Sequence, residues 1–189
     1  MNEAVEMMSP EEAPVQEATQ AIAENLLAAF QQQRKSYLAD PIPGLEQRKN
    51  DLDALKRMLN ENLDVIVDAI CEDYGNRSRH ESLFAEVIAV TDGINDTVRK
   101  LKKWMKPQKR HVDITLYPGA KNRVIPQPLG VVGLIIPWNF PINLSFSQLT
   151  AVFAAGNRAM VKMSENSRAL TKVLMEISPK YFPEEKLTR

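Results

Sequence analysis

Val131-Val132-Gly133-Leu134-Ile135-Ile136 runs directly into Pro137-Trp138-Asn139-Phe140-Pro141. The first part has the continuous apolar character of a strand buried on both faces. The second is a stiffened turn, because each proline fixes φ near about −65° and removes a backbone donor. Between the prolines sit two large aromatics and one primary amide, Asn139. An amide NH2 held rigidly at a strand end is a neutral donor pair suited to a developing oxyanion. Taken alone, the same stretch also reads as a packed Pro-rich turn.

Working downstream, Asn143 is expected to cap a helix over Leu144–Ala155, and Gly156 to end it. Ala159-Met160-Val161-Lys162 then reads as a short strand. Strand, helix, strand from Val131 to Lys162 makes a βαβ unit with parallel, neighbouring strands. Ligands of open α/β sheets bind outside the carboxyl ends of the strands. The first strand presents Asn139 there, and the second presents Lys162 and Glu165. An ammonium and a carboxylate at that spacing match the vicinal hydroxyls of a ribose. The carboxylate would also repel a 2′-phosphate, which favours NAD over NADP. By itself Lys-x-x-Glu equally describes an exposed ion pair at a strand-to-helix loop. The chain contains no G-x-G-x-x-G, so the usual dinucleotide fingerprint is absent.

Upstream, Ser9-Pro10-Glu11-Glu12 reads as a helix start, with the helix running to about Gln33. Asp40-Pro41-Ile42-Pro43-Gly44 breaks the chain. One long helix follows, with Leu45, Leu52, Leu55, Leu59, Ile66 and Ile70 at helical spacing, ending at Tyr74-Gly75-Asn76. A third helix spans Arg79 to Trp104, with Phe84, Val87, Ile88, Ile94, Val98 and Leu101 as its apolar face. Val112, Ile114 and Leu116 alternate with polar or aromatic residues at the period of a half-buried strand. After the Tyr117–Lys121 turn, Asn122–Ile125 pairs back as the second arm of a hairpin. A last helix carries Leu170, Val173, Leu174 and Ile177.

Composition narrows the function. The 24 Lys+Arg balance 24 Asp+Glu, which argues against a nucleic-acid partner or a membrane surface. The seven basic residues of Arg99–Arg110 read as cations at a helix C-terminus, although a phosphate patch has the same composition. No apolar run is long enough to cross a bilayer as a helix. The Glu-rich start, without a basic residue before Arg34, fits neither a secretory nor a mitochondrial leader, so the expected location is cytoplasmic. The single cysteine, Cys71, excludes an intramolecular disulfide and a multi-cysteine zinc site. It lies within a helical pattern beside Ile70 and reads as packing. His80 and His111 lack ligand-like spacing, so no metal is assigned.

Four blocks together carry a resemblance: Gln127-Pro128-Leu129-Gly130-Val131-Val132-Gly133, Ile136-Pro137-Trp138-Asn139-Phe140-Pro141, Ala154-Ala155-Gly156-Asn157 and Val161-Lys162-Met163-Ser164-Glu165. In order and spacing they resemble the aldehyde dehydrogenase superfamily. The segment from Glu81 through Lys103-Trp104-Met105-Lys106-Pro107 is similar to the coniferyl aldehyde dehydrogenase branch and its long-chain and aromatic-aldehyde relatives. Met163 stands where the family usually has proline.

The resemblance implies an α/β fold: N-terminal helices, a β-hairpin, then the start of a Rossmann-like parallel βαβ sheet. The implied division is a helical extension over 1–34, the helical part of a NAD-binding domain over 35–111, an oligomerisation-type hairpin over 112–127 and the start of the NAD-binding sheet over 128–189. Asn139 would donate to the oxyanion of a cysteine thiohemiacetal. Ile136, Pro137 and Trp138 would line the cofactor cleft. Lys162 and Glu165 would hold the adenine ribose of NAD, with NADP as the other candidate cofactor. The hairpin matches strands that family members use to pair subunits, which implies a homo-oligomer at full length. The family's nucleophilic cysteine, general-base glutamate and catalytic domain would lie beyond Arg189, so the chain reads as the N-terminal part of an enzyme and as inactive alone. The competing expectation is a truncated, non-catalytic binding or subunit-interaction module; a helical interaction protein with an α/β tail is the weaker third.

Overall fold

The computed structural model describes residues 12–188 and, of their side chains, those from residue 19 onward. Ser9 and Pro10, expected at the first helix start, lie outside the described residues. Helix α1 spans Glu12–Ala39, past the expected end at Gln33. Its last part lies against the sheet. Gln33 is fully buried there. Its amide donates to the Ala159 carbonyl at 2.9 Å and to Thr188 Oγ1 at 2.9 Å.

The expected long helix from Leu45 to Tyr74 is two helices, α2 (Leu45–Glu61) and α3 (Leu63–Tyr74). Asn62 between them has φ −117° and ψ 23°. Its side-chain amide donates to the Met58 carbonyl and to Tyr181 Oη, both at 2.9 Å. An asparagine that bonds to the preceding turn competes with helix continuation, which the apolar periodicity does not reveal. Gly75 ends α3 with φ +78°, and its N–H donates to the Cys71 carbonyl.

The third helical segment has the expected span but a different face. It comprises α4 (Arg79–Ser82), a π-helical turn (Leu83–Ile88) and α5 (Ala89–Trp104). A π turn inserts extra chain per turn and changes the phase of the side chains. Phe84 and Ile88, expected on the core face, are therefore 73% and 57% exposed. Val87 is buried as expected, and Glu86 turns inward beside it. Val90, Ile94 and Leu101 return to the core as the periodicity requires.

The hairpin is present, but its first arm is not where the alternation placed it. Strand β1 is Gln108–Arg110 and pairs antiparallel with β2, Asn122–Val124. Residues 112–117 form a turn. The Asp113 carboxylate accepts from the Thr115 N–H at 2.9 Å and from its hydroxyl at 2.5 Å. This Asx-type closure takes the backbone donor that a strand would use.

Strands β3 (Val131–Ile135), β4 (Arg158–Lys162) and β5 (Leu187–Thr188) form a parallel sheet in the order β3-β4-β5. Helix α6 (Pro141–Ala154) connects β3 to β4, and α7 (Arg168–Ile177) follows β4. The core is formed where α6 packs on α2 and α5, with Phe146, Phe153, Leu52, Leu55, Met58 and Ile94 fully buried. Gly156 ends α6 with φ +86°, and the Asn157 N–H reaches back to the Val152 carbonyl at 2.9 Å. That left-handed residue and back-reaching bond are a Schellman-type stop.

Strand β3 is not buried on both faces. Leu134 and Ile136 face the core, while Ile135 on the other face is 81% exposed. The physical reason is coverage: α1 crosses this side near the start of β3, where Tyr37 Oη donates to the Pro128 carbonyl at 3.2 Å. Among the described residues, no helix covers Ile135.

Candidate functional site

The carboxyl ends of β3 and β4 lie side by side. Ile135 pairs with Lys162, and the Ile136 N–H donates to the Lys162 carbonyl at 2.9 Å. The Trp138-Asn139 turn and the Lys162–Glu165 loop therefore leave the sheet on the same edge. The sequence-derived residues differ in exposure. Pro137, Trp138 and Asn139 are exposed, as are Lys162 and Glu165. Ile136 is buried and reaches the edge through its backbone. Met163, in the place of a proline, packs into the core.

At the β3 end, one side chain from the last residue of α3 and one from the α3–α4 connection hold the turn. Tyr74 Oη donates to the Trp138 carbonyl at 2.7 Å and the Asn139 carbonyl at 2.5 Å. Arg77 Nη1 donates to the Asn139 carbonyl at 3.2 Å. The guanidinium lies 4.7 Å from the Tyr74 ring centroid and 4.8 Å from that of Phe140. It is buried and pairs with Glu86 Oε1 at 2.9 Å. The Tyr74 hydroxyl stays protonated: burial pushes it above the usual phenol range, with Arg77 pulling partly the other way.

Glu86 does the work expected of Asn143. Helix α6 starts at Pro141, two residues ahead of the expected cap, because a proline is preorganised for the first helical position. Asn143 sits inside the first turn, and its amide donates to the Ala85 carbonyl at 2.8 Å. Glu86 Oε2 accepts from the N–H groups of Ile142 at 2.7 Å and Asn143 at 3.3 Å. Burial raises the Glu86 carboxyl above the usual range, opposed by these N–H donors and by Arg77.

At the β4 end, Lys162 Nζ and Glu165 Oε1 form an ion pair in solvent. Hydrogen bonding to Lys162 holds the Glu165 carboxyl below its ordinary value, so it is an anion at neutral pH. The helix after this loop is capped remotely as well. Asp73 accepts from the N–H groups of Ala169 at 2.8 Å and Leu170 at 3.0 Å. Behind both ends, Asn157 Oδ1 accepts from the N–H groups of Leu129 at 2.6 Å and Gly130 at 2.9 Å, fixing the entry to β3.

Tyr74, Asp73, Arg77 and Glu86 were not singled out by sequence reasoning. One signal was available: Glu86 is the single charged residue in the apolar run Leu83–Val90. A cleft of about 440 Å³ between α5 and α6, lined by Val90, Gly93, Trp104, Thr150 and Ala154, contains none of the sequence-derived site residues. The cysteine thiol is half-buried and donates to the Arg77 carbonyl at 3.4 Å. Among the described residues, no three His, Cys, Asp or Glu side chains converge as a metal site.

The arrangement can donate hydrogen bonds from an exposed amide beside a strand end and bind vicinal hydroxyls at the next. Comparison with known proteins agrees with this architecture. The chain is 43% identical over 162 residues to a probable coniferyl aldehyde dehydrogenase of Pseudomonas aeruginosa, covering 86% of this chain and 34% of the relative. It is 42% identical to a coniferyl aldehyde dehydrogenase of a Pseudomonas species, covering 88% and 34%. The chain thus spans about a third of the length of these curated relatives. The structure of Staphylococcus aureus AldH in a substrate-bound state superposes with a TM-score of 0.81 at 23% identity, over 86% of this chain and 35% of that one. Betaine aldehyde dehydrogenase from Staphylococcus aureus, in complex with NAD+, superposes with a TM-score of 0.73 at 19% identity, over 87% and 32%. The aldehyde dehydrogenase family model matches residues 2–187, and the chain belongs to that family.

Proposed function

We propose that this chain supplies the oxyanion donor and part of the dinucleotide site of an NAD(P)-dependent aldehyde dehydrogenase, in which an aldehyde is oxidised to a carboxylic acid. The observation that carries the reading is the Asn139 turn: an exposed primary amide on a backbone held through both neighbouring carbonyls, on the same sheet edge as Lys162 and Glu165.

In this reading a cysteine outside these residues adds to the aldehyde carbon, and the carbonyl oxygen gains negative charge. The Asn139 side-chain N–H donates to that oxygen as the charge develops. The donor is already placed and neutral, so it needs no proton transfer and little reorganisation. Ile136, Pro137 and Trp138 would line the cofactor cleft beside it. The donor set of Lys162 and Glu165 fits a ribose diol: the ammonium donates to one hydroxyl and the carboxylate accepts from the others. The bound dinucleotide supplies hydride acceptance. The Glu165 anion disfavours a 2′-phosphate, so NAD is the preferred cofactor.

The similarity to coniferyl aldehyde dehydrogenases supports an aromatic or long-chain aldehyde as substrate. The exposed hairpin and its apolar turn, with Ile114, Leu116 and Tyr117 each more than half exposed, support a subunit contact and a homo-oligomer. The 189 residues alone are expected to lack aldehyde-oxidising activity. In the full-length enzyme, Asn139→Ala should lower kcat by about 100- to 1000-fold and leave the KM for NAD nearly unchanged. An unaltered kcat in steady-state assays would remove the oxyanion role.

A further inference from the structure

We infer that Tyr74 and Arg77 are positioning residues that fix the backbone from which the Asn139 side chain projects. This rests on the proposed role of Asn139 and adds what makes that role possible. The peptide planes on either side of a Cα set the direction of its Cα–Cβ bond, and χ1 and χ2 then place the functional group from that base. The plane before Asn139 carries the Trp138 carbonyl, and the plane after it carries the Asn139 carbonyl. Tyr74 Oη lies within hydrogen-bond distance of both, at 2.7 Å and 2.5 Å, and its single proton is shared between them. One hydroxyl therefore ties the two planes whose relative orientation sets the Asn139 Cα–Cβ bond. Arg77 adds a second donor to the Asn139 carbonyl at 3.2 Å.

The rest of the turn has little freedom. Pro137 and Pro141 fix their own φ angles, and Pro141 starts a helix whose first free N–H groups are bound by Glu86. Arg77 cannot drift, because its guanidinium is buried, paired with Glu86 and flanked by the Tyr74 and Phe140 rings. The contacts stop short of the functional group: among the described residues, the Asn139 side-chain amide has no hydrogen-bond partner and is exposed. Backbone held and side chain left available is the arrangement a preorganised donor needs.

The test is a double-mutant cycle in the full-length enzyme, with Tyr74→Phe made in the wild-type and Asn139→Ala backgrounds. Loss of aim by about 1 Å is enough for a rate loss on the order of 100-fold. Tyr74→Phe should lower kcat by about 10- to 100-fold and change the KM for NAD by less than about twofold. In the Asn139→Ala background it should change kcat by less than about twofold, because the amide it aims is gone. Arg77→Lys and Arg77→Met run in parallel, so the result does not depend on one variant folding. The lysine keeps a charge against Glu86 and should retain more kcat than the methionine. An equal kcat loss in both backgrounds overturns the positioning role, since it shows Tyr74 acting without Asn139. Asn139→Ala impairing the enzyme while Tyr74→Phe has no effect also overturns it, and leaves the oxyanion reading standing. Asn139→Ala without effect removes both.

Discussion

The ends of β3 and β4 lie side by side on one sheet, yet they are held by different means. At β3 the chain leaves through two prolines into a turn whose carbonyls are bound by Tyr74 and Arg77, with the buried Glu86 behind them. At β4 it leaves into a loop whose two candidate side chains, Lys162 and Glu165, pair with each other in solvent. The difference suits the chemistry proposed for each. An oxyanion donor loses its value when misplaced by a fraction of a bond length, whereas ion-like contacts to a ribose tolerate adjustment. Rigidity has been concentrated where geometry enters the rate.

The largest expected break of this contrast is Glu86→Ala. Removing one member of a buried ion pair leaves Arg77 charged without its partner and two α6 N–H groups without an acceptor. The expected loss is about 3–5 kcal/mol, read from urea denaturation of the intact enzyme. Glu86 also gives the contrast a pH signature. Its folded-state value is raised by burial, so the folded protein binds that proton more tightly than the unfolded chain. The associated stability is complete below the ordinary glutamate range and is lost as pH rises through the raised value. Denaturation midpoints across about pH 4 to 8 should show this slope, and Glu86→Gln should flatten it.

A smaller effect is expected at the other helix start. Asp73→Ala removes the acceptor for Ala169 and Leu170, as the loss of an N-cap does, and should destabilise by about 1 kcal/mol. A loss as large as that of Glu86→Ala would show that the β4 end is braced as firmly as the β3 end. The smallest stability change belongs to Glu165→Gln. An exposed pair is screened by solvent and salt, so the melting temperature should hardly move. The ratio of kcat/KM for NADP to that for NAD should nevertheless rise, because the charge that disfavours a 2′-phosphate is gone. An unchanged ratio would place Glu165 away from the ribose.

The βαβ unit was legible because its signals are local. The apolar run of β3 and the glycine that ends α6 lie within a few residues of the structure they specify, whereas the start of α6, expected at Leu144 behind an Asn143 cap, lies three residues earlier at Pro141. The hairpin shows the limit. The alternation of Val112, Ile114 and Leu116 has the period of a strand, but one carboxylate, Asp113, closes a turn over it. The true first arm, Gln108–Arg110, has no apolar residue to mark it. The face of the third helix was misjudged for a related reason: a π turn shifts the phase without changing the composition. The bracing of Asn139 was least legible, since Glu86 meets Ile142 across 56 residues of chain and Tyr74 meets Trp138 across 64. Strand β5, of two residues, is too short to have a period.

The remote caps have a further consequence for anions. A helix start is ordinarily a receptor for phosphate, because its free N–H groups and dipole favour negative charge. In α6 Pro141 has no N–H, Ile142 and Asn143 give theirs to Glu86, and Leu144 gives its own to the Phe140 carbonyl. In α7 Ala169 and Leu170 give theirs to Asp73, and Thr171 to the Ser167 carbonyl. Both receptors are occupied by the protein's own carboxylates, and an incoming diphosphate would meet charge of its own sign. If Lys162 and Glu165 hold a dinucleotide, this stretch of sheet grips it by its sugar and leaves its charged middle to donors on other elements.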